Sequence, residues 1–92
     1  MFKSGLRRIQ QRVQRRLLQN AGLEKEYRKL QNRIKKEMNG AKPYLYNDIE
    51  PMTLGEEVCI ILIMNDDNEI LAKVVGFTVK DVIKATEDWL DE

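Results

Sequence analysis

Arginine is the residue type in this chain with the most chemistry to offer. On a helix, Arg8, Arg12 and Arg16 stand four apart with Arg15 beside them. Like charges at that spacing destabilise an isolated helix by roughly 0.2 to 0.5 kcal/mol per pair. The first 23 residues contain no carboxylate to offset them. A guanidinium is a rigid fork of donors that fits carboxylate and phosphate oxygens alike. The pattern therefore predicts an anion supplied from elsewhere: nucleic-acid phosphate, an anionic membrane surface, or carboxylates of another protein or of the chain's own second half. The plain alternative is a solvated face whose repulsion salt screens within about 8 Å. Arg28, Lys29, Arg33 and Lys36 continue the basic character on the next helical stretch. The expected partner-binding set is thus Arg7, Arg8, Arg12, Arg15, Arg16, Arg28, Lys29, Arg33 and Lys36.

Other reactive types are scarce. The chain has no histidine, so nucleophilic triads and the usual general base lack their central residue. Its one cysteine, Cys59, sits inside the most apolar run, residues 58–64. One thiol can form neither a disulfide framework nor a zinc cluster within the chain, and in apolar surroundings it reads as inert packing. A reducing, cytoplasmic setting is the expected compartment. Asn65, Asp66, Asp67 and Asn68 offer oxygen ligands but lack the glycine and distant glutamate of a calcium loop. They read as a polar hairpin tip. The five glycines are dispersed, and none builds a phosphate-cradling loop. These residues point away from an enzyme, and from a cofactor, a metal or a small-molecule substrate.

The net charge of +1 conceals a division. Residues 1–42 carry thirteen cations against three carboxylates, whereas residues 43–92 carry three lysines against twelve carboxylates. Such asymmetry points to a macromolecular partner, or to the halves meeting within or between chains.

Hydrophobic spacing supplies the elements that must position these charges. Phe2, Leu6, Ile9, Val13 and Leu17 recur at helical steps, and Leu23, Tyr27, Leu30, Ile34 and Met38 form a second stripe. The stripes are offset near residues 18–22, where Gly22 lies. Two helices in a hairpin are expected, with one long helix tolerating Gly22 as the alternative. Asn39-Gly40 supplies a stop. Pro43 and Pro51 bracket a turn-rich stretch, read as a linker over 41–55 with a short strand at 44–46. Residues 57–64 and 69–77 form a β-hairpin, and Thr78 opens a final helix to about residue 90. The first of these strands is apolar on both faces: the C-terminal helix is expected on one, and the N-terminal helices or a second molecule on the other.

The fold class expected is α+β, in one compact domain. A basic helical segment (1–40) and a linker (41–55) lead to an acidic ββα unit (56–92). The function expected is that of a small non-enzymatic regulator, adaptor or inhibitor that binds another protein through its basic helical face. Self-association as a homodimer is expected too. The alternative is nucleic-acid binding, with the arginine-rich helix on phosphates; base-stacking aromatics and an RNA-reading signature are lacking, and the acidic half would repel a polyanion. Residues 1–18 also suit an interfacial membrane helix, but this leaves the rest of the chain unused.

Overall fold

A computed structural model describes residues 2–49 and 55–92, with side chains from residue 11 onward. The order is α1 (Phe2–Ala21), α2 (Glu24–Glu37), β1 (Lys42–Ile49), β2 (Glu57–Met64), β3 (Ile70–Gly76) and α3 (Val79–Leu90).

The break between the first two helices is a two-bond C-terminal turn. Gly22 N–H donates to the carbonyl of Gln19 at 3.2 Å and Leu23 N–H to that of Leu18 at 3.1 Å. Gly22 sits at φ +67°, a left-handed conformation that glycine adopts without steric cost. The chain forms the helical hairpin and not the single long helix. At the end of α2 the device is repeated, with Asn39 at φ +52° and Gly40 N–H donating to the Lys35 carbonyl at 2.8 Å. Thr78 caps α3, its Oγ1 accepting from Asp81 N–H at 3.0 Å.

The sheet is antiparallel in the order β1-β2-β3, so three strands replace the expected hairpin of two. The third strand, β1, extends the short strand expected at 44–46 and occupies most of the stretch expected as a linker. Prolines obscured it: Pro43 is tolerated because β1 is an edge strand, where a missing N–H costs no ladder bond. Lys42 to Ile49 pair along the full length of β2, from Lys42 opposite Met64 to Ile49 opposite Glu57.

Cys59, Ile61 and Ile63 turn one face of β2 towards the helices. They join Leu45, Leu18 of α1, Tyr27, Leu30 and Ile34 of α2, and Val79, Val82 and Ile83 of α3 in one core. All three helices therefore share one face of the sheet, a correction to the expected division of α3 from α1 and α2. The added width of β1 gives that face room for three helices. Trp89 and Leu90 pack against this core while staying partly exposed. On the other face Val58 and Ile60 are buried, with Leu62 and Met64 half-buried beside them. In α1, Leu18 is buried whereas Val13 and Leu17 of the expected stripe are half-buried.

Candidate functional site

The side-chain amide of Gln14 joins three elements. Its Oε1 accepts from the Tyr27 hydroxyl at 2.8 Å and from the Leu45 backbone N–H at 3.0 Å, tying α1 to α2 and to β1. Leu45 N–H can only donate, which fixes the amide with its oxygen inward. The two N–H bonds of Gln14 Nε2 are left over, and neither has a partner among the described residues. Burial pushes the Tyr27 phenol well above its ordinary range; Tyr44 adds to the shift and the Leu45 amide opposes it.

The same contacts blunt the free edge of β1. Gln14 takes the N–H of Leu45, Pro43 has none to offer, and Ile49 N–H donates to Asp48 Oδ1 at 2.8 Å. The edge is thereby built into the base of a cleft.

Two grooves meet at Gln14. One, of about 570 Å³, runs between α1 and α2, where Arg15, Gln19, Arg28 and Glu24 line it over Tyr27. The second, of about 350 Å³, extends towards the start of β1 past Asn32, Lys35 and Lys42. Gln11, Gln14 and Gln31 line both, so the grooves form one polar path. Amides there offer donors and acceptors, and four cations set a positive field against the single carboxylate of Glu24.

The expected cations do not converge on one surface. Arg15 and Arg28 face each other across the α1–α2 groove. Arg12, Arg16 and Lys36 are exposed and line neither groove. Lys29 and Arg33 lie on the opposite side of α2, beside Glu26 and Glu87 of α3. The side chains of Arg7 and Arg8 lie outside the described residues.

Arg33 is engaged within the chain. Its Nε meets Glu37 Oε2 at 2.6 Å, and its Nη2 pairs with Asp91 at the end of α3. The Asp91 hydrogen bond, followed by that of Glu37, raises the guanidinium's pKa further. This pair links basic α2 to the acidic end of α3. Arg12, Arg15, Arg16, Arg28, Lys29 and Lys36 form no ion pair with any described residue. Cys59 is buried, and burial raises its thiol pKa, with Glu57 and Asp81 adding to the shift. A thiol held protonated is a poor nucleophile.

Sequence spacing alone did not single out Gln11, Gln14, Gln31, Lys35 and Lys42. Gln14 stands four residues before Leu18 and on its side of the helix, a polar residue in a core-facing position, and that was the available signal. Compared with protein-family models, with curated proteins and with solved structures, the chain matches none.

Proposed function

We propose that this chain is a small non-enzymatic regulatory or adaptor protein of the cytoplasm that binds another protein through the basic surface of α1 and α2. One observation carries the reading: Arg12, Arg15, Arg16, Arg28, Lys29 and Lys36, spread over more than one face of α1 and α2, are all exposed and form no ion pair among the described residues. A surface with surplus guanidinium groups and little carboxylate gains most from an anionic partner, and arginine is enriched at protein interfaces. Glu24 within the groove and the acidic second half favour carboxylates of a protein over a continuous polyanion. No helix among the described residues is long and apolar enough to cross a membrane.

Affinity capture with the tagged full chain, with and without nuclease, tests the reading once the captured partner is purified and the complex rebuilt. The complex is expected to survive nuclease and to be lost when Arg12, Arg15, Arg16 and Arg28 are changed to glutamate. Capture of nucleic acid alone, abolished by the same four changes, would overturn it in favour of phosphate binding.

A further inference from the structure

The grooves that meet at Gln14 have a more specific chemistry than a general basic face. Gln14 Oε1 is held by two donors, Tyr27 from α2 and Leu45 from β1, so the amide cannot turn over without breaking both bonds. What Gln14 can present is a pair of N–H donors in a fixed orientation, and a donor fixed before binding loses little entropy when it is used. Gln11 and Gln31 line both grooves beside it. Arg15 and Arg28 stand on one side of this amide cluster, and Lys35 and Lys42 on the other.

We infer that this path is a binding groove for an extended acidic peptide segment of a protein partner. Its carboxylates would be taken by Arg15 and Arg28 and by Lys35 and Lys42, while Gln14 Nε2 donates to a backbone carbonyl between them. The inference rests on the proposed protein-binding role and names the partner's chemistry. Side-chain amides match a peptide backbone because both carry one acceptor and N–H donors. Glu24 favours a peptide over a nucleic-acid backbone: its carboxylate can accept a peptide N–H, and a phosphodiester backbone has no N–H to offer. Tyr27 is buried beneath the groove, which removes it as a platform for base stacking.

The test is fluorescence anisotropy with a labelled peptide of alternating glutamate and serine, titrated with the full chain at physiological salt. Two double variants separate the groove from the wider face: Arg15→Glu with Arg28→Glu inside it, and Arg12→Glu with Arg16→Glu outside it. All four residues are exposed, and circular dichroism melts check that both variants fold. The groove variant is expected to bind at least about tenfold more weakly and the outer variant less than about threefold. In the native chain, the Gln14 side-chain amide resonances are expected to shift on peptide addition. Equal losses in the two variants would overturn the groove while leaving the basic-face reading intact. Absence of saturable peptide binding would overturn the groove as well, and the rebuilt complex described above would then judge the basic face separately. Displacement of the peptide by an oligonucleotide of matched charge at lower concentration would overturn it in favour of phosphate.

Discussion

Gln14 couples stability to the site. Gln14→Ala would leave the Tyr27 hydroxyl and the Leu45 N–H, both on buried residues, without their acceptor. At about 1 to 3 kcal/mol for each unsatisfied buried group, the expected loss is at least about 2 kcal/mol. Tyr27→Phe removes one donor and leaves Gln14 its bond to Leu45, so a cost of about 1 kcal/mol is expected near neutral pH. The phenol also makes that cost depend on pH. Burial raises the folded-state pKa of Tyr27 above its unfolded value of about 10. Its contribution is therefore fully present below about pH 10 and is lost as pH rises beyond it. Denaturant melts of the native chain and Tyr27→Phe are expected to show a gap that narrows above about pH 10. A gap unchanged between neutral and high pH would mean that the phenol is not held in a dry site. The Cys59 thiol, also raised, works in the same direction at high pH and cancels in this comparison because both proteins carry it.

Two glycines separate backbone conformation from packing at the scale of elements. At Gly22 a Cβ would meet nothing within 4 Å, so Gly22→Ala costs only the left-handed backbone, about 1 kcal/mol. At Gly76, the end of β3, a Cβ would lie 2.6 Å from Val82 N and 2.9 Å from Val82 Cα on α3. Helix and strand would have to separate, and overpacking of this kind costs about 1 to 3 kcal/mol while disturbing the α3–sheet contact. Thermal melts are expected to place Gly76→Ala below Gly22→Ala; the reverse order would contradict the close approach of α3 to β3. The helix ends were legible in the sequence because Gly22 and Asn39-Gly40 act through local backbone conformation. The β2 strand was legible from its apolar run and α3 from Thr78 and its spacing. The strand β1 was harder to read, since its alternation is interrupted by Asn47 and Asp48 and its stability comes from pairing with distant β2. The arginines could be named but not assigned to surfaces, because the way α1 and α2 pack across the Gly22 turn decides which of them meet. The Gln14 cluster joins residues 14, 27 and 45, and no local pattern encodes so distant a contact.

Across the whole molecule, charge is segregated along the chain, and among the described residues few ion pairs neutralise it. Arg33 is the described link from the basic helices to acidic α3, through Asp91. As an exposed pair it is screened by salt, so it does not hold the halves together. The other described cations of α1 and α2 form no ion pair with a described residue, and the partner proposed for them is a protein surface. A salt-series titration of fluorescent duplex and single-stranded oligonucleotides with the native chain tests it most directly. For phosphate binding, log affinity falls against log salt with a slope of about −0.9 per duplex phosphate contacted. Binding weaker than micromolar at physiological salt is expected, with no preference among sequences. Sub-micromolar binding at that salt, lost when Arg12, Arg15, Arg16 and Arg28 are reversed to glutamate, would contradict it.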